Sequence, residues 1–215
     1  MNDNIDINQT KPALSLKWLW LLFCFYAAGV AVSVASDFFT DDGWLTWVSK
    51  GILMVTILCL LQLTSANIRY CKAALLNALS LGCSLIPLLL SEPVALYLLR
   101  ENVEAIGTVN LIFHIITLAG WVLSLLAIYQ EYRGHKETTA ANATLSRNWG
   151  RLLMLKLLLA LVSFCLSYLM LFLFDRVTIP WKVYDIINIG TQAVLTVLHL
   201  LYLWLLYQTI QFCKK

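Results

Sequence analysis

Apolar residues run along this chain in blocks of about twenty, the length that crosses roughly 30 Å of hydrocarbon as a helix rising about 1.5 Å per residue. Six such blocks follow one another, near residues 14–36, 45–65, 73–90, 105–129, 152–174 and 184–207. Each is expected to be helical, because a segment surrounded by lipid has no water to satisfy its backbone and must bond within itself. The pattern therefore predicts an all-α, polytopic transmembrane bundle of six helices, a single membrane domain over residues 14–208.

The polar positions between the blocks say how the bundle is threaded. Residues 1–13, rich in Asn and Asp, read as a disordered arm, and 209–215 as a short tail. The break at 37–43 carries Asp37, Asp41 and Asp42, whereas the turn after block two carries Arg69 and Lys72. Block three holds Pro87 and is followed by Ser91, Glu92 and Pro93. Residues 94–104 are too short and too charged to cross, so they either lie along the interface or extend block three. The longest polar stretch, 129–156, carries Arg133, Lys136, Arg147, Arg151 and Lys156 against Glu131 and Glu137. It predicts a cytoplasmic loop over 130–151.

Charge then orients the whole. Under this threading eleven of the fifteen basic residues fall on the side of the termini, and only Lys50, Arg100, Arg176 and Lys182 fall opposite. Basic residues near short loops stay in the cytoplasm, so both termini are expected there. The sequons at Asn8 and Asn142 would then lie inside and remain unglycosylated. If the source is bacterial, the location is the cytoplasmic (inner) membrane.

Composition agrees: 60% hydrophobic and 13% charged residues lie outside the soluble range. The net charge of +3 is small and dispersed, which excludes a nucleic-acid surface. The first block is too long for a signal peptide and is expected to stay as a span. Of six cysteines, Cys24, Cys59, Cys83 and Cys165 fall inside blocks, and Cys71 and Cys213 on the termini side, so free thiols are expected. No C-x-x-C or Cys/His spacing suggests a metal.

Candidate chemistry is sparse. Lys17, Lys50 and Lys156 read as close enough to an interface to snorkel, leaving no charge deep in a span. Uncharged polar residues remain, and they line up. Asn188, Gln192 and His199 fall at roughly 0°, 40° and 20° on one helix face, and Asn110, His114 and Thr117 fall within roughly 60° of one another. With Asn77 from block three they form a candidate polar seam: Asn77, Asn110, His114, Asn188, Gln192 and His199. Such a seam is either a hydrated path or interhelical glue worth roughly 0.6–2 kcal/mol per bond. The histidines could suggest haem, but His114 and His199 differ in depth by about 9 Å at about 1.5 Å per residue, so no cofactor is expected.

A second group gathers where block four meets the polar stretch: Glu131, Arg133, His135 and, further on, Trp149. Glu131 and His135 are four apart, suited to a hydrogen bond or half of an acid/base couple.

Three functions are compatible with these residues. The first is a non-enzymatic membrane protein acting through a protein partner or self-assembly, with Glu131, Arg133, His135 and Trp149 as its cytoplasmic contact. The second is a small transporter or channel using the seam. An enzyme acting on lipid, with Glu131 as base and His135 as orienter, is the least supported, because no nucleophile or metal accompanies the pair. Beyond the lipid bilayer itself, no partner can be named from these residues.

Overall fold

The computed structural model describes residues 15–38, 43–101, 105–174 and 181–214; the side chains at 37–38, 99–101, 105, 167–168, 170–174, 181–186 and 188 lie outside the described set. The arm expected over 1–13, and most of the breaks expected at 37–43 and 175–185, fall outside it too.

All described secondary structure is helical. The elements are α1 (Leu16–Phe38), α2 (Gly43–Gln62), α3 (Ile68–Glu101), α4 (Ala105–Thr138), α5 (Ala143–Phe174) and α6 (Trp181–Lys214), with a 3-10 turn over Leu63–Ser65. Six of them are long and apolar enough to cross a membrane, which makes this a multi-pass membrane protein by length and composition. Consecutive helices pack side by side, and α6 returns to α1, closing a ring in chain order. Lys214 lies 5.4 Å from the Trp20 ring and Tyr207 lies 6.2 Å from it, so the described ends of the chain meet.

One expectation changes and one open alternative is decided. The stretch expected as a loop over 130–151 is helical almost throughout: α4 continues to Thr138 and α5 begins at Ala143. The reversal is compact because Asn142 accepts the Leu145 N–H at 3.1 Å and caps α5, while the Ser146 hydroxyl donates to the Lys136 carbonyl at 2.9 Å. Helix α3 runs through both Pro87 and Pro93 to Glu101, so residues 94–101 extend block three.

Helices α3 to α6 have 32 to 34 residues, about 50 Å at about 1.5 Å per residue, against a hydrocarbon core of about 30 Å. The excess matters because burial is uneven along it. Fully buried side chains come from the start of α1 (Leu19, Leu22), the end of α2 (Leu60), the start of α3 (Tyr70, Ala73), the end of α4 (Tyr132, His135), the start of α5 (Trp149) and the end of α6 (Tyr202, Leu206, Ile210). All belong to the end that carries the termini. At the opposite end, Trp44, Trp47, Leu111, Ile112, Ile115 and Ile189 are exposed.

Close approach of α3 and α4 depends on two glycines. A Cβ at Gly120 would stand 2.9 Å from the Cys83 Cβ, and one at Gly134 would stand 3.0 Å from the Tyr70 ring. Small residues let helix backbones come together in lipid, where burial of apolar surface no longer drives association. The Ser80 hydroxyl uses that proximity, donating to the Gly120 carbonyl at 2.8 Å.

Candidate functional site

Helix α4 places Glu131, Tyr132 and His135 on neighbouring turns of one face, Thr139 follows in the turn after it, and all four are buried. Around them close Tyr26 from α1, Tyr70 from α3, Trp149 and Lys156 from α5, and Tyr202 and Thr209 from α6. The rings interlock: His135 stacks on Trp149 with centroids 4.4 Å apart, Tyr202 stacks on Tyr26 at 4.0 Å, and Tyr132 meets both Trp149 and Tyr202 edge-on or tilted near 5.5 Å and 5.4 Å. Aromatic pairs in such geometries add about 0.5–1.5 kcal/mol beyond the area they bury.

Most polar atoms inside this packing are engaged, the Tyr132 hydroxyl and His135 Nε2 excepted. The Tyr202 hydroxyl donates to the Glu131 carboxylate. The Tyr70 hydroxyl lies 2.9 Å from His135 Nδ1 and 3.2 Å from Thr138 Oγ1. Trp149 donates its indole N–H to Thr209 at 3.0 Å. His135 Nε2 makes no hydrogen bond, although Glu131 Oε1 is 3.9 Å away. Buried nitrogens are nearly always paired, so an orphan beside a carboxylate marks a place where a small movement or a proton changes the bonding. Lys156, 8% exposed, lies within electrostatic reach of Glu131 and His199.

A polar clasp surrounds the buried group where α3 and α4 emerge. Arg69 bonds Glu137 at 2.7 Å and Gln130 at 3.0 Å, Asn67 donates to Glu137 at 3.1 Å, and Arg133 donates to the Tyr129 hydroxyl at 2.8 Å. These side chains are half exposed, so the clasp orients the helix ends more than it stabilises them.

The sequence-derived candidates divide accordingly. Of the group expected as a contact surface, Glu131, His135 and Trp149 are inside the bundle, and only Arg133 is part-exposed. The physical reason is that α4 and α5 continue as packed helices through this stretch, turning a face inward that a loop would leave outside. Lys156, read as snorkelling, is buried, so the interior does hold charge. Its signal was available: Trp149 and Lys156 are seven apart, two turns along one face. Tyr26, Tyr70 and Tyr202 were not anticipated, since a lone tyrosine in an apolar block looks like any aromatic.

Of the seam, Asn77 is buried, Gln192 and His199 are part-buried, and Asn110 and His114 are exposed; the Asn188 side chain lies outside the described residues. From Asn110, the buried Glu131, Tyr132 and His135 fall at roughly −60°, 40° and −20° around α4, so the seam continues the inward face. His199 meets the Tyr26 ring at 5.8 Å and, with Tyr26, Ser49 and Thr56, lines a groove of about 240 Å³ among α1, α2 and α6. Among the described residues the seam shows no hydrogen bond between its α4 and α6 members: Asn110 and His114 are exposed, and His199 meets Tyr26 of the buried group.

Set against known proteins, the chain matches no family model, no curated protein and no solved structure.

Proposed function

We propose that this protein is a small transporter or channel that takes a small polar solute or ion into the interior of its bundle. The observation that supports the reading is the burial of Glu131 and Lys156, with His135 and His199, inside a bundle of membrane-crossing helices. Withdrawing an ion from water costs several kcal/mol even after relaxation, and a hydrophobic replacement is often as stable. Ionisable groups kept inside membrane bundles therefore mark ion and substrate pathways. The groove lined by Tyr26 and His199 supplies an approach to the buried group. The partner-contact reading keeps only Arg133 on the surface, and the lipid-enzyme reading lacks access, since His135 is wholly enclosed.

Charge asymmetry supports placing the packed end, with both termini, in the cytoplasm. A reporter fused after the last residue that matures only in the cytoplasm would be active; activity only of an exported reporter would reverse the orientation.

The transport reading is tested in liposomes by light-scattering swelling with urea, glycerol and the chloride salts of ammonium and sodium. Wild-type protein is expected to admit at least one probe faster than empty vesicles, and Gln192→Leu or His199→Leu to remove the difference while eluting as a single folded species. Rates equal to empty vesicles for every probe would sink the reading.

A further inference from the structure

We infer that Glu131 and His135 form a proton-exchange pair, so that the ion passing through or driving this interior is the proton; this rests on the transport reading above. The groups that face Glu131 come from five helices: Tyr26 of α1, Tyr70 of α3, Tyr132 and His135 of α4, Lys156 of α5 and Tyr202 of α6. This setting serves both states of the carboxyl. As a carboxylate it is held by the Tyr202 O–H and the Lys156 charge; as an acid it can turn its O–H toward His135 Nε2, the buried nitrogen that makes no hydrogen bond.

The 3.9 Å separation closes to bonding distance with a shift of about 1 Å, within the reach of a side-chain torsion. In the transfer, the Glu131 O–H bond breaks and an N–H bond forms at Nε2. Glu131 is left as a carboxylate and His135 as an imidazolium stacked on Trp149. The charge leaves from the other nitrogen. The Nδ1 proton passes to the Tyr70 oxygen as the Tyr70 proton moves to Thr138 Oγ1, whose own proton, directed at the Gly134 and His135 carbonyls, is released to solvent where the neighbouring Lys136 and Ala140 are exposed. Tyr70 and Thr138 end neutral, and His135 ends neutral with its proton on Nε2. Glu131 is recharged from the side of the groove that Tyr26 and His199 line, with Lys156 within electrostatic reach of both Glu131 and His199.

The roles are separable by geometry. Glu131 and His135 exchange the proton directly, while Tyr202 is a positioning residue acting through Glu131. A purely structural cluster would need the same hydrogen bonds but would have no use for a titratable carboxyl beside an unpaired imidazole nitrogen.

Proteoliposomes holding a pH-sensitive dye, and driven by a potassium diffusion potential with valinomycin, test this. Wild-type protein is expected to acidify the lumen at least tenfold faster than empty vesicles. Glu131→Gln and His135→Gln should return the rate to that of empty vesicles, and Tyr70→Phe should slow it several-fold. Folding of each variant is checked by monodisperse elution and its thermal transition. If the substituted proteins do not fold, dicyclohexylcarbodiimide on wild-type protein decides, since it modifies protonated carboxyls in apolar surroundings. Modification at Glu131 that stops the flux supports the pair, and unmodified Glu131 with flux intact under the reagent overturns it. Folded Glu131→Gln or His135→Gln that conducts protons like the wild type also overturns it. Wild-type vesicles that admit a swelling probe but no protons leave the transport reading standing and remove the proton pair, whereas vesicles that admit neither remove both.

Discussion

The two ends of this bundle are made from the same helices and behave as different materials. At the end carrying the termini, six helices converge on Tyr70, Tyr132, His135, Trp149 and Tyr202, none more than 2% exposed. At the other end, described side chains such as Leu111, Ile115 and Ile189 stand more than half exposed on the same α4 and α6. Mean hydropathy does not separate the two, because both are rich in apolar residues. Aromatic and hydrogen-bonding side chains do. In lipid, an aliphatic residue gains little by leaving acyl chains for another helix, whereas ring stacking, hydrogen bonds and close backbone approach are available only between helices. Stability is expected to sit where those interactions are, leaving the other end free to open.

The contrast can be broken most severely at Trp149. Trp149→Ala removes the ring against which His135, Tyr132 and Tyr202 pack and leaves Thr209 without its indole donor. A loss of about 3–5 kcal/mol is expected, read as a large drop in the thermal transition in mild detergent. Ile115→Ala, at the opposite end, should move the same transition by less than about 0.5 kcal/mol; equal effects would erase the distinction between the ends.

A smaller break is expected where α3 and α4 touch. Gly134→Ala puts a Cβ about 3.0 Å from the Tyr70 ring, so the ring must shift off His135. The expected loss is about 1–3 kcal/mol, and an unchanged transition would mean that this helix contact is looser than its geometry implies. Tyr70→Phe tests the polar part of the same contact. Removing one hydroxyl strands His135 Nδ1 and should lower stability by about 1–2 kcal/mol, again by thermal unfolding.

Least affected should be the clasp. Glu137→Ala releases Arg69, Asn67 and Arg133 at a half-exposed position and should shift stability by under about 1 kcal/mol. That small shift should shrink further in high salt, because exposed charges separated by more than about 8–10 Å from their partners are screened at ordinary ionic strength and close pairs weaken as salt rises. An effect as large as that of Trp149→Ala would show that the clasp, and not the aromatic core, holds this end.

Much of the architecture was legible because its cause is local. A run of about twenty apolar residues must be a helix in a bilayer whatever its neighbours are, and six such runs appear at the expected places. The seam was a grouping by helix face alone: in the structure Gln192 and His199 are part-buried, and Asn110 and His114 are exposed. Periodicity reports which residues share a face, not what stands opposite.

The sequence by itself determined six membrane-crossing helices, because backbone hydrogen bonding in lipid admits almost no alternative. Tertiary structure alone decided that Glu131, His135, Trp149 and Lys156 belong inside one buried cluster rather than on a polar surface. That outcome depends on α4 and α5 continuing as helices to Thr138 and from Ala143, on Asn142 capping the turn between them, and on tyrosines from α1, α3 and α6 arriving beside them. Residues 26, 70, 131, 156 and 202 are brought together only by ring closure, and no local pattern encodes a meeting among helices so far apart in the chain.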